Sequence, residues 1–303
     1  MPGMMDTVLN LGLNDAVVKG LVQKTQNERF AWDAYRRFVQ MFGDVVMGVP
    51  HARFEQTLQE AKTSKGLSAD ALDTELDAND LQTLVKEFFS IYETHTGSPF
   101  PQDPRQQLEA SINAVFGSWN SDRAIRYRQL NNMTGLLGTA VNVQAMVFGN
   151  MGDTSGTGVA FTRDPSTGEN TFYGEFLINA QGEDVVAGIR TPEPISKLHD
   201  VLPEAYEQLL EIRSNLESHF RDMQDLEFTV QEKQLFLLQT RNGQRTGAAA
   251  VRTACEMVEE GLITPETAVT RVIPEQLDQL LHDVFDASSK QQKVADGNLL
   301  GTG

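Results

Sequence analysis

The sequence predicts an α+β protein in which a helical block precedes a strand-bearing region. Three observations carry that expectation. Apolar residues recur at helical spacing across residues 14–98. The period then falls to two over 139–148, where Val141, Val143, Ala145 and Val147 alternate with Asn142, Gln144, Met146 and Phe148. Finally, residues 225–241, DLEFTVQEKQLFLLQTR, read as two strands joined by a tight connection, each with one apolar and one polar face.

Taken in order, residues 1–13 are short and glycine-bearing and open without a capping element, more like the middle of a domain than its start. Asn27 is placed to cap a helix whose Phe30, Phe38, Met41, Phe42 and Val45 share a face. A second helix carries Phe54, Leu58 and Ala61, and a third the stripe Leu81, Leu84, Val85, Phe88, Phe89 and Tyr92; these aromatics are expected in a core. Arg36 and Arg37 are adjacent and are expected on a solvated helix face. Pro99, Pro101 and Pro104 mark a change of region. Beyond it, one helix directs Leu108, Ile112, Val115 and Phe116 inward, and a polar helix holds Arg123, Arg126 and Arg128.

After the alternating stretch comes NMGDTSGTG, 150–158. Small residues between two strands let a backbone approach a ligand closely and can form an anion nest; a long hairpin turn has the same composition. Strands are expected at 159–163 and 171–179. Gln181, Glu183 and Asp184 then line a cleft or a charged turn. Residues 203–220 read as an amphipathic helix with Leu209, Ile212, Leu216 and Phe220 inward. After the hairpin, helices are expected at 248–260, from the Thr264-Pro265 cap onward, and at 274–281. Residues 283–303 read as a polar linker.

The 225–241 hairpin carries the chemistry. Leu226, Phe228 and Val230 share one strand face and Asp225, Glu227 and Thr229 the other, while Phe236 and Leu238 oppose Gln239 and Arg241. A loop with an odd number of residues around Lys233 pairs Glu227 with Gln239 and gathers Asp225, Glu227, Gln239 and Arg241 on one side. An even loop pairs Leu226 with Gln239 and mixes the faces. Two carboxylates about 4 Å apart at an effective dielectric near 20 repel by roughly 4 kcal/mol. A hard divalent cation with oxygen ligands answers that repulsion, and the planar fork of Arg241 suits phosphate. A solvated polar face is the other use of the same residues.

At 303 residues the chain can bury a sizeable core in two or more lobes. Its 25 basic and 42 acidic residues leave a formal charge of −17, which argues against nucleic acid and anionic membranes as partners. The single cysteine, Cys255, excludes an internal disulfide and a cysteine metal cluster, and suits a reducing cytoplasm. No signal peptide is visible, and no stretch approaches the roughly 18 apolar residues of a membrane span.

Several strings together, MPGMMDTVLNLGLND, YRRFVQMFGDVVMGVP, GTAVNVQAMVFGNMGDTSGTGVAFTRDPSTGE, GEFLINAQGEDVVAGIRTP and LQTRNGQRT, resemble the nucleotide-binding region of the pyruvate, phosphate dikinase family over nearly the whole chain. The resemblance implies an ATP-grasp domain with an inserted helical subdomain. Residues 1–13 and 105–147 would form part of one lobe, 14–104 the insert, 148–244 the second lobe, and 245–303 a helical segment and linker. It implies ATP as substrate, Mg2+ as cofactor, and transfer of the β,γ-pyrophosphoryl group to a histidine on a separate domain, then onward to a pyruvate/phosphoenolpyruvate domain of a cytoplasmic homodimer. Asp225, Glu227 and Gln239 would hold the metal, and Glu227 and Arg241 would act in transfer. Ser155, Gly156, Thr157, Gly158, Gln181, Glu183 and Arg241 would contact the nucleotide. None of His51, His95, His199, His219 or His282 lies in the family's TSHA context. The family's nucleotide-closing lysine and arginine precede MPGMMD, so the chain reads as a fragment with little turnover of its own. The rival readings are the same region of a water dikinase such as phosphoenolpyruvate synthase, and a non-catalytic nucleotide-binding or docking module.

Overall fold

The computed structural model describes residues 4–68, 71–186 and 190–281. It divides into two compact units, Met1–Met146 and Val147–Gly303. The regular structure described in the first unit is helical: α1 (Asp15–Thr25), α2 (Glu28–Met41), α3 (His51–Ser64), α4 (Ala78–Thr96), α5 (Pro104–Ser118) and α6 (Asp122–Leu130). Asn27 caps α2 as expected, accepting the Phe30 N–H at 3.0 Å. Asp77 and Asp80 form a reciprocal capping box on α4, and Gly97 at φ 72° ends it. The expected aromatics are core. Phe100, between two of the punctuating prolines, is their hub, with ring centroids of Phe38, Phe42, Phe89 and Tyr92 5.1–5.7 Å away.

Arg36 and Arg37 depart from the sequence expectation. Arg36 is buried, bonded to Asp33 at 2.7 Å and Asp73 at 2.9 Å, and Arg37 reaches Asp33 at 3.2 Å. Asp33 lies one turn before both, so a single buried carboxylate draws the two adjacent arginines together. The polar stretch after α3 folds over this cluster, and Asp73 also receives buried Lys62 at 2.8 Å.

Helix α5 turns a different side inward from the one expected. Gln107, Ser111 and Ser118 are buried, Leu108, Ile112 and Val115 are half-buried, and Phe116 is exposed. The reason is backbone satisfaction: Gln107 donates to the carbonyls of Leu13 and Pro101 and accepts the Gly12 N–H. Residues 139–148 also differ, since they form no strand and Val143 is 65 % exposed. Alternation is only half of a strand; the other half is a ladder partner, and the sheet of the second unit is built without them.

That sheet has five antiparallel strands, β1 (Gly156–Phe161), β2 (Tyr173–Ile178), β3 (Glu193–Pro194), β4 (Gln224–Gln231) and β5 (Gln234–Asn242), in the order β3-β2-β1-β4-β5. Its helices are α7 (Gly182–Val186), α8 (Leu198–Val201), α9 (Pro203–Phe220), α10 (Gly247–Glu259), α11 (Pro265–Arg271) and α12 (Pro274–Leu281). Leu226, Phe228 and Val230 of β4 join Ala160, Phe176, Leu202, Ala205 and Leu209 in one core beneath α9. Phe220, expected inward, is exposed, and Glu217 is buried instead. It forms a two-bond fork with Arg163, just past β1, with both contacts at 3.0 Å. Glu256 and Glu260 close on the same guanidinium. Burial disfavours the Arg163 charge, but the glutamates outweigh it and raise its pKa further. Gly261 at φ 72° follows α10, and Thr264 caps α11 with Pro265 in its first turn, as the sequence indicates. The expected linker at 283–303 lies outside the described residues.

Candidate metal and phosphate site

The β4–β5 hairpin reaches the expected pairing by an unexpected route. Its turn has two residues, Glu232 and Lys233, both at positive φ (49° and 70°), which pairs Gln231 with Gln234 and Phe228 with Leu237. A bulge between Glu227 and Phe228 then skips Leu238 and restores Glu227↔Gln239 and Asp225↔Arg241. The odd loop is therefore incorrect, and so is the apolar face it assigned to Phe236 and Leu238. Leu235 packs on the core instead, Phe236 pairs with Thr229, and Leu238 is 39 % exposed. The one-residue correction comes from the bulge, not from the turn.

Cross-strand partners share a face, so Asp225, Glu227, Gln239 and Arg241 lie together on the side of the sheet away from α9. Asp225 is nearly buried, with its side chain 8 % exposed. Glu227 and Arg241 are partly open, and Gln239 is exposed. Arg241 Nε donates to Asp225 Oδ2 at 2.7 Å, and its Nη1 lies 3.4 Å from Glu227 Oε1. The guanidinium thus supplies the positive charge that the paired carboxylates require. Two rows cross the sheet on this face, Arg241–Asp225–Phe161–Tyr173 and Gln239–Glu227–Val159–Glu175. Glu175, exposed on β2, is a carboxylate on this face that sequence reasoning passed over. Its only signal was the alternation of a strand whose neighbours were not yet known.

Of Ser155, Gly156, Thr157 and Gly158, only Ser155 lies outside the sheet. The last three begin β1, and Ser155 and Thr157 are buried. Ser155 Oγ accepts the Glu232 N–H at 2.9 Å, and Thr157 Oγ1 donates to the Phe228 carbonyl at 3.1 Å. A Cβ on Gly158 would stand 2.6 Å from the Phe228 ring and from the Glu175 carbonyl, so the small residues admit close packing within the sheet. The irregular turn is the preceding 150–154, which Lys233 N–H ties to the hairpin tip through the Thr154 carbonyl at 2.8 Å.

Gln181 is buried beside this turn. Its Nε2 lies 3.3 Å from Asn150 Oδ1, its Oε1 has no hydrogen-bond partner among the described residues, and its backbone N–H donates to Asp184 at 2.8 Å. Glu183 lies in α7, and its side chain is outside the described residues. Among the described residues, no three His, Cys, Asp or Glu side chains converge on a metal position. A cation here would take two carboxylates and the Gln239 amide oxygen, a hard-oxygen set suited to Mg2+. No helix among the described residues is long and apolar enough to cross a membrane.

The family model of the pyruvate phosphate dikinase AMP/ATP-binding domain matches residues 1–200 and 196–262. The chain belongs to this family. Members similar to it include the chloroplastic pyruvate, phosphate dikinase of Flaveria pringlei, 58 % identical over 299 residues, which are 98 % of this chain and 31 % of the relative. Pyruvate, phosphate dikinase 1 of Arabidopsis thaliana, also chloroplastic, is 59 % identical over 295 residues, 97 % and 30 % of the two chains. The Clostridium symbiosum dikinase is 55 % identical over 301 residues, 99 % and 34 %. The chain spans about a third of the length of these dikinases. The hairpin face and the turn at 150–154 both fall inside the region that the dikinase family model matches.

Proposed function

We propose that this chain is the MgATP-binding, ATP-grasp part of a dikinase that converts ATP, pyruvate and phosphate to AMP, phosphoenolpyruvate and diphosphate. Its share of the reaction is to present the β,γ-pyrophosphoryl group to a histidine carried on another domain. The observation that carries the reading is the convergence of Asp225, Glu227, Gln239 and Arg241 on one accessible sheet face in a chain of this family. Phosphoryl transfer needs in-line positioning and neutralisation of phosphate charge more than covalent help from the protein. Asp225, Glu227 and Gln239 would hold Mg2+, which when bound supplies the charge neutralisation on the phosphate oxygens. The Arg241 fork orients the terminal phosphates, and the turn at 150–154 offers backbone N–H groups beside the same hairpin. Gln181 contributes the unpartnered amide oxygen at the edge of that turn.

Calorimetric titration of a non-hydrolysable ATP analogue, with and without Mg2+, tests the assignment. Binding is expected to require Mg2+ and to weaken by about tenfold in Glu227→Gln, the loss of one charge-assisted contact. Binding that ignores both the metal and the substitution would remove Glu227 from the metal site.

A further inference from the structure

We propose that the Arg241 guanidinium is a resident counter-ion that a divalent cation must displace, so that metal capture is what releases Arg241 toward the phosphates. The inference rests on the metal reading above and adds an order of events to it. One fork spans both carboxylates, with Nε 2.7 Å from Asp225 and Nη1 3.4 Å from Glu227. Nearly buried Asp225 needs such a partner, because a buried charge left alone is costly. Those are also the oxygens that a hard cation needs. A metal seated on these carboxylates competes with the guanidinium beside it, since two cations held side by side on the same carboxylates repel.

The arm is free to leave. Arg241 is 31 % exposed and stands on β5, the last strand of the sheet, so its departure repacks none of the core beneath α9. While Nε is donated to Asp225 and Nη1 is held beside Glu227, the guanidinium is turned to the carboxylates and either of its two-bond grips on a phosphate would use a nitrogen already engaged there. The site is therefore expected to favour the metal-complexed nucleotide over free ATP, with Arg241 acting as the discriminator.

The test is Mn2+ binding to the whole chain without nucleotide, followed by electron paramagnetic resonance, together with thermal melts. Arg241→Gln is expected to bind Mn2+ about tenfold more tightly than the wild type, as removal of a competing charge-assisted pair implies. It should also melt lower without metal and gain more from Mn2+. Arg241→Lys keeps a charge but cannot span both carboxylates, so it should fall between the two and serves if the glutamine variant does not fold. Equal or weaker Mn2+ binding by these variants, with clear binding by the wild type, overturns the displacement idea and leaves the metal site standing. Absence of Mn2+ binding by every folded form overturns both.

Discussion

Asp33 shows how one side chain can tie local stability to pH. Burial opposes its ionisation, yet Arg36 and Arg37 beside it outweigh that effect and lower its pKa from the ordinary 3.8 to about 2. Burial likewise opposes ionisation of Asp73, and Arg36 and Lys62 lower it on balance. A depressed carboxylate contributes stability that is complete above its unfolded pKa and is lost as pH falls toward its folded one. The first unit should accordingly lose roughly 2 kcal/mol from Asp33 between about pH 4 and pH 2, with Asp73 acting in the same direction. Asp33→Asn should cost about 3 kcal/mol at neutral pH by leaving Arg36 short of a partner, and should flatten the acid limb. Melting curves across that range, in wild type and variant, check both; an unchanged slope would remove Asp33 as its source. The sequence made the aromatic core legible because periodicity reports burial of apolar groups. It hid Arg36 because periodicity has no means of reporting that a charge will be buried with its partner, and Asp73 is far away in sequence.

At the scale of elements, the hairpin shows how a correct pairing can be reached from a wrong account of its cause. The polar face was legible in the alternation of Asp225, Glu227, Gln239 and Arg241. The turn was not, because Glu232-Lys233 is a poor sequence for two consecutive positive-φ residues, where Asn-Gly is the favoured pair. Replacing Glu232-Lys233 with Asn-Gly should therefore stabilise the second unit, by about 1 kcal/mol. Among the described residues, backbone N–H groups of these two residues tie the tip to Thr154 and Ser155, and both survive the exchange. A denaturant midpoint that rises with an unchanged slope would bear this out, and one that falls would show that the native side chains matter. The bulge left no signal in the sequence, because β5 does not alternate: Leu235 to Leu238 are all apolar and Gln239 to Asn242 all polar. Residues 139–148 show the converse, since alternation made no strand where no ladder partner was supplied. In 155–158 small residues suggested a loop, but close approach of backbone to Phe228 demands small residues just as a ligand does.

For the whole molecule, the decisive feature is that each unit has its own core, one clustered on Phe100 and the other on the β4 face beneath α9. A single unfolding midpoint is then not a well-defined quantity. Scanning calorimetry should resolve two transitions. Phe100→Ala, which removes the aromatic hub, should lower one by an amount corresponding to about 3–5 kcal/mol while leaving the other in place. A variant that shifts both equally would mean the cores unfold as one. Against a formal charge of −17, an anionic nucleotide is repelled at long range and gains only at short range. The position of Arg241 therefore matters more than the number of basic residues in the chain.

The bulge at Leu238 also has a consequence for inheritance. Loss of one codon at Leu237 or Leu238 would leave a regular ladder in which Gln239, Thr240 and Arg241 still face Glu227, Leu226 and Asp225. The same loss within β1, which is paired on both sides, would rotate every following side chain to the opposite surface. β5, which bears Gln239 and Arg241 of the candidate site, is thus a strand in which a length mutation can pass without disturbing what faces what.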